Sequence, residues 1–116
     1  MSYTNIFQKT YDFVKWIYPT INKFPKAQRF TLVQRIETLS FELLEDVVEV
    51  MYNDNKALRK RIVLNLHKLR ILLRMSKDLS FLSYDRYEYG IRLLHELRKL
   101  VDEQGMIKDE NLQKFV

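Results

Sequence analysis

Apolar residues recur along most of this chain at spacings of three and four, the pattern of amphipathic α-helices that pack through one face. The first such segment predicts a helix from about Tyr3 to Asn22. Within it, Pro19 should produce a kink, because proline removes the hydrogen bond to the carbonyl of Lys15. Phe24-Pro25 then breaks the segment, since a residue before proline avoids helical dihedral angles. The positions with helical spacing are Ile6, Thr10, Phe13, Val14, Ile17 and Ile21.

Three further segments repeat the helical period. The pattern predicts a second helix from Ala27 to about Tyr52 and, after a polar turn with Asn55 as its cap, a third from Lys56 to Leu79. A fourth helix begins after Ser83 and ends at Gly105. The predicted core positions of these helices are Leu32, Val33, Ile36, Leu39, Leu43, Val47, Val50 and Met51, then Leu58, Ile62, Leu66, Leu69, Leu72 and Leu73, then Tyr87, Ile91, Leu94, Leu97, Leu100 and Val101.

The order and length of these helices predict the fold. Four amphipathic helices joined by short loops favour an all-α, antiparallel up-down-up-down four-helix bundle. The chain of 116 residues has the size of one domain, and its two glycines and two prolines leave little room for turn-dense sheet. We therefore expect a bundle over residues 1–105 and a short polar C-terminal tail over residues 106–116.

The second helix carries more apolar residues than one buried stripe uses. A second apolar face needs a second partner, which is either the remainder of a deeply buried central helix or another protomer of a homo-oligomer. The candidate oligomer contacts are Phe30, Phe41, Leu44, Val48 and Tyr52.

Charge is the next feature that changes this picture. Twenty Lys and Arg against fifteen Asp and Glu give a net charge of +5, which favours polyanionic partners only if the cations cluster. In an antiparallel bundle, nine cations and three acids would meet at one end, whereas the acids of the second helix would neutralise the cations of the third at the other. The alternative is an ordinary solvated face. The candidate residues for nucleic-acid or partner binding are Lys23, Lys26, Arg29, Arg35, Arg70, Arg74 and Lys77.

No combination of residues indicates catalysis, because the sequence lacks cysteine, a phosphate-binding glycine loop and every common nucleophile or metalloprotease motif. A site made by His67 and His95 would need further ligands, so hydrogen-bonded, partly buried histidines are favoured over a metal site. We expect no enzyme activity, cofactor or metal. No apolar run approaches a membrane span or forms an export signal, so we expect a soluble, cytoplasmic protein.

Two stretches resemble a known family. The sequence KFPKAQRFTLVQRIE at residues 23–37 is similar to the start of the second helix in the accessory variability determinant (Avd) proteins of diversity-generating retroelements. The run LRILLR at residues 69–74, followed by KDL at 77–79, looks like the third helix of the same family. The wider relatives include the four-helix proteins encoded in intervening sequences of 23S rRNA genes.

The resemblance implies a homopentameric barrel of four-helix protomers that binds nucleic acid and a partner reverse transcriptase, supporting mutagenic copying of template RNA into complementary DNA. By position, it suggests that Lys26, Arg29, Arg35, Arg70 and Arg74 contact phosphate or the polymerase. The chain departs from the family pattern where Val33 replaces an expected glycine and where residues 96–100 replace a glycine- and tryptophan-containing segment. The competing hypothesis is a structural or regulatory helical oligomer that binds only protein.

Overall fold

A computed structural model describes residues 4–103 of the chain, and side chains from 5 to 102. Over this range the chain forms four α-helices and no strand: α1 (Thr4–Ile21), α2 (Gln34–Tyr52), α3 (Lys56–Asp78) and α4 (Tyr84–Glu103). Each helix packs against the next one in sequence, and α1 also packs against α4. The predicted all-α, four-helix fold is therefore confirmed. Tyr3, Gly105 and the tail at 106–116 lie outside the described residues.

The start of the second helix differs from the regular helix that the sequence pattern predicts. A 3₁₀ turn at Lys26–Gln28 leads into a π-helical segment at Arg29–Val33, and only then does α2 begin. Pro25 has extended dihedral angles and offers no side-chain acceptor for the first amides. The wide π turn still brings Leu32 and Val33 into the core.

Pro19 lies inside α1 without ending it, and the helix continues to Ile21. Proline has no N–H, so the carbonyl of Lys15 lacks its usual helical partner, and this single loss does not end the helix. One turn further on, Phe24 packs its ring against Phe81, with ring centroids 5.9 Å apart. This contact joins the segment after α1 to the turn before α4.

The helix starts of α3 and α4 follow the predicted capping. The side chain of Asn55 accepts a hydrogen bond from the amide of Leu58 at 2.8 Å, and the hydroxyl of Ser83 accepts one from the amide of Arg86 at 3.2 Å. Ser80, between these helices, has a φ of 66°, a left-handed conformation that is uncommon for a residue other than glycine. The two turns are thus held by local polar contacts.

The predicted apolar stripes form one buried core. Among the predicted core positions, Met51 is exposed, and five are half-buried at its margin. These five are Leu39, Leu72, Tyr87, Ile91 and Leu100. The core also takes in Val63 of α3 and Leu82 of the last turn, which the helical pattern did not select.

The packing of α1 against α4 depends on Gly90. A Cβ atom at this position would lie 2.9 Å from Cη2 of Trp16 and 3.0 Å from Cδ1 of Leu73. The indole of Trp16 also packs against Tyr89, with ring centroids 5.1 Å apart. The glycine therefore makes room for the indole between the two helices. None of the helices in the described range is long and apolar enough to cross a membrane.

Candidate nucleic-acid interface

The irregular segment before α2 presents two of the predicted cations. Lys26 lies in the 3₁₀ turn and Arg29 in the π-helical segment, and both side chains are exposed. Together they line a cavity of about 370 Å³ whose other walls include Tyr18, Phe30 and Glu37. Within the part of the chain that the structure describes, no ion pair joins Lys26 or Arg29 to a carboxylate. Both cations are therefore available to an external anion.

A larger groove of about 610 Å³ lies between α2 and α3. Arg35 and Lys68 contribute cations to it, and its apolar wall is formed by Leu39, Ile71 and Leu72. Among the residues that the structure describes, no carboxylate lines this groove. Phe30 and Gln34 line both this groove and the cavity that contains Lys26 and Arg29. The two depressions are therefore adjacent, and Phe30 stands between them.

The remaining predicted cations are distributed over three other places. Lys23 lines a separate cavity of about 220 Å³ with Arg86, and Arg70 is half-buried beside a cavity of about 10 Å³ between α3 and α4. Nε of Arg74 lies 3.8 Å from a carboxylate oxygen of Asp78. Nζ of Lys77 lies 3.4 Å from the same carboxylate and 4.6 Å from the ring centroid of Tyr87.

The geometry thus selects a subset of the seven predicted cations and adds one. Lys26, Arg29 and Arg35 meet around Phe30, and Lys68 of α3 joins them. We call these four cations and Phe30 the basic aromatic patch. Sequence reasoning missed Lys68. It lies between Leu64 and Ile71, two apolar residues outside the predicted core stripe of α3, and this position indicates the outer face of the helix.

Cations at the other end of α3 have carboxylate partners. The side chain of Arg61 donates to both carboxylate oxygens of Asp46, from Nη2 at 3.0 Å and from Nε at 3.2 Å. This hydrogen bond and the negative charge of Asp46 raise the pKa of Arg61 above its ordinary value. Arg59 is buried and is paired with Asp54. The charges of α2 and α3 therefore neutralise one another here, as the sequence pattern suggests.

The predicted oligomer contacts of α2 adjoin an exposed aromatic surface. The ring of Phe41 packs edge-on against Tyr18 of α1, with centroids 5.8 Å apart. Val48 and Tyr52 are exposed on α2, whereas Leu44 is half-buried. Tyr11, seven residues before Tyr18, is exposed on α1 as well. We call the surface of Tyr11, Tyr18, Phe41, Val48 and Tyr52 the α1–α2 aromatic face. The heptad spacing of the two tyrosines was the signal that sequence reasoning overlooked.

His67 and His95 line the same cavity of about 10 Å³, so the predicted proximity of the two histidines is correct. Arg70 and Arg98 line it too, and guanidinium groups do not ligate metal ions. Between residues 5 and 102, no group of three His, Asp or Glu side chains could hold a metal ion.

The four described helices, with four cations grouped around Phe30, define the class of small four-helix proteins. Comparison with protein families identifies the particular one: the chain belongs to the bAvd-like family, whose model matches residues 5–109. The match confirms the resemblance to Avd proteins, and membership indicates an accessory role in a diversity-generating retroelement. No curated protein and no solved structure matches the chain significantly.

Proposed function

We propose that this chain is a non-enzymatic, cytoplasmic accessory subunit that binds nucleic acid and a reverse transcriptase during mutagenic copying by a diversity-generating retroelement. Family membership supports the accessory role. The observation that carries the nucleic-acid part is the basic aromatic patch, where Lys26, Arg29, Arg35 and Lys68 gather around two adjacent depressions. Exposed cations that bind phosphates displace the counterions condensed on the nucleic acid, and this counterion release makes a large contribution to affinity.

The proposed contacts are to phosphate. Lys26 and Arg29 lie at the first turns of a helical segment, where the backbone N–H groups and the helix dipole also favour an anion. Between residues 4 and 103, none of the helices carries a known motif for reading base edges in a groove. Binding should therefore depend weakly on sequence and strongly on salt.

Charge reversal on the patch tests this proposal. In the double variant Arg29→Glu, Arg35→Glu, we expect weaker binding to labelled RNA and duplex DNA by fluorescence anisotropy. Two lost phosphate contacts should reduce the slope of log affinity against log salt on duplex by about 1.8. The matched control is Lys56→Glu, Lys99→Glu, which changes the same charge at two exposed lysines outside the patch. Unchanged affinity and slope in a folded patch variant would overturn the proposal.

We further propose an antiparallel up-down-up-down order for the bundle. On α1 and α4, Lys9 pairs with Glu96 at 2.9 Å and Trp16 contacts Tyr89, so residue numbers rise along one helix as they fall along the other. The pairing of Arg61 with Asp46 and the shared groove of Arg35 and Lys68 support the same order for α2 and α3. We assign the bundle to residues 1–105 and the tail to residues 106–116.

The α1–α2 aromatic face supports a homo-oligomer, and the family likeness favours a pentamer. Exposed aromatic side chains are enriched in protein contacts. Light scattering at micromolar concentration should give a mass above that of the monomer, and Phe41→Glu with Val48→Glu should lower it. A monomer mass for the unaltered protein would exclude this assembly.

The alternative function is a helical oligomer that binds only protein, and the apolar wall of Leu39, Ile71 and Leu72 favours it. An apolar helix laid into that groove would bind with little salt dependence, whereas phosphate binding weakens steeply with salt. Titration of the reverse transcriptase and of RNA at two ionic strengths separates the two functions.

A further inference from the structure

Phe30 of the basic aromatic patch adds little to the packing of the described chain, because its side chain lies outside the core. Its side chain is 81% exposed, whereas phenylalanine is among the residues most often buried. It lies in the π-helical segment Arg29–Val33, and single π turns occur frequently at functional sites. Its neighbours in that segment, Leu32 and Val33, are buried, so the segment is anchored while Phe30 projects outward.

The surroundings of Phe30 are cationic on both sides. One adjacent cavity contains Lys26 and Arg29, and the other contains Arg35 and Lys68. Among the described residues that line the two depressions, the one carboxylate is that of Glu37, in the cavity with Lys26 and Arg29. A purely apolar partner would cover these four cations without offering a counter-charge, at a cost in desolvation. The charge pattern therefore favours a ligand that combines an aromatic face with repeated negative charges.

We propose that Phe30 stacks against an unpaired base of single-stranded nucleic acid, while Lys26 and Arg29 on one side and Arg35 and Lys68 on the other bind the flanking phosphates. This inference rests on the proposed nucleic-acid-binding function and specifies its ligand. Stacking on a protein ring requires a base whose face is uncovered, which single strands provide and duplex interiors do not. Every base has such a face, so the contact tolerates any sequence.

The test compares Phe30→Ala with the unaltered full-length protein on single-stranded RNA, single-stranded DNA and a blunt duplex of equal length. Loss of one stacked base should weaken single-strand binding by about 5- to 150-fold, which corresponds to 1–3 kcal/mol. Duplex binding should remain within about two-fold, because the four cations are intact. Phe30→Tyr should restore single-strand affinity, since it retains an aromatic face.

Tyr84→Ala is the matched control. Tyr84 is also an aromatic residue, is 60% exposed and begins α4, so it belongs neither to the basic aromatic patch nor to the α1–α2 aromatic face. We expect single-strand affinity to be unchanged in this variant. A second measurement uses a strand that contains the fluorescent base 2-aminopurine, whose emission changes on stacking. The protein should alter that emission, and Phe30→Ala should abolish the change while Tyr84→Ala does not.

The outcomes distinguish this inference from the proposed function. An unaltered protein that binds no nucleic acid would overturn both. If Phe30→Ala lowers the affinity for single strands and for duplex by the same factor, a base-stacking role is excluded and the proposed function remains intact. A lower mass for Phe30→Ala by light scattering would assign the residue to a protomer contact and would likewise overturn the stacking proposal.

Discussion

Gly90→Ala is a sensitive probe of the contact between α1 and α4. The added Cβ would lie 2.9 Å from Cη2 and 3.0 Å from Cζ3 of Trp16, and 3.0 Å from Cδ1 of Leu73. The indole is rigid and already contacts Tyr89 and Phe13, so it cannot move without disturbing other rings. Overpacking of this kind costs about 1–3 kcal/mol. Replacing glycine by alanine within a helix opposes this cost by about 1 kcal/mol.

The expected net effect is a loss of about 0–2 kcal/mol in the free energy of unfolding, measured by urea denaturation followed by circular dichroism. A double-mutant cycle makes the prediction sharper. In a Trp16→Phe background, the colliding atoms Cη2 and Cζ3 are absent and Cδ1 of Leu73 remains close, so Gly90→Ala should destabilise the protein less than in the unaltered chain, or stabilise it by up to about 1 kcal/mol. The interaction free energy between the two sites should be about 1–3 kcal/mol. Gly90→Ala that stabilises both backgrounds equally would refute the close-packing argument.

Two further comparisons, each between two variants, probe the polar contacts of the fold by thermal unfolding at fixed protein concentration. Asn55→Ala removes the acceptor for the Leu58 amide and should lower the free energy of unfolding by about 1 kcal/mol. Asn55→Asp should retain the cap, so equal unfolding midpoints for the two variants would argue against capping. Arg61→Met removes the cation that pairs with Asp46, a residue that is 8% exposed. Lys9→Met breaks the exposed pair with Glu96. Arg61→Met should lower the unfolding midpoint more, because a buried carboxylate without its partner is costlier than an exposed one. The reverse order would show that burial of Asp46 does not govern the strength of its ion pair.

Much of the fold follows from local sequence signals. The three- and four-residue spacing located all four helices, and Asn55 and Ser83 marked two helix starts that the structure caps as expected. These signals are reliable because periodicity and capping act within one or two turns of the chain. Local signals could not predict the packing role of Gly90. That role depends on Trp16, which is 74 residues away in sequence and adjacent in space.

The candidate site was less predictable than the fold. The antiparallel order of the helices predicts which cations share one end of the bundle. It does not predict the direction in which each cation points around its helix axis. That direction separates Arg70, which is half-buried between α3 and α4, from Arg35, which lines the groove between α2 and α3. The same limitation concealed Lys68. The π turn at Arg29–Val33 further changes the angle of the residues before α2, and no local sequence rule indicated it.

The segment from Pro25 to Val33 departs from the rules that the other helix starts obey. Asn55 and Ser83 cap their helices, whereas the 3₁₀ turn and the π segment have no side-chain cap and carry Lys26 and Arg29 at the positive end of the helix dipole. Each cation there costs about 0.3–1 kcal/mol, and exposed Phe30 contributes no burial. Natural proteins tend to break such rules at functional sites, where another requirement outweighs stability. A ligand with negative charge would reverse the unfavourable electrostatics of the segment, so Arg29→Glu with Arg35→Glu should weaken binding of nucleic acid without lowering the unfolding midpoint.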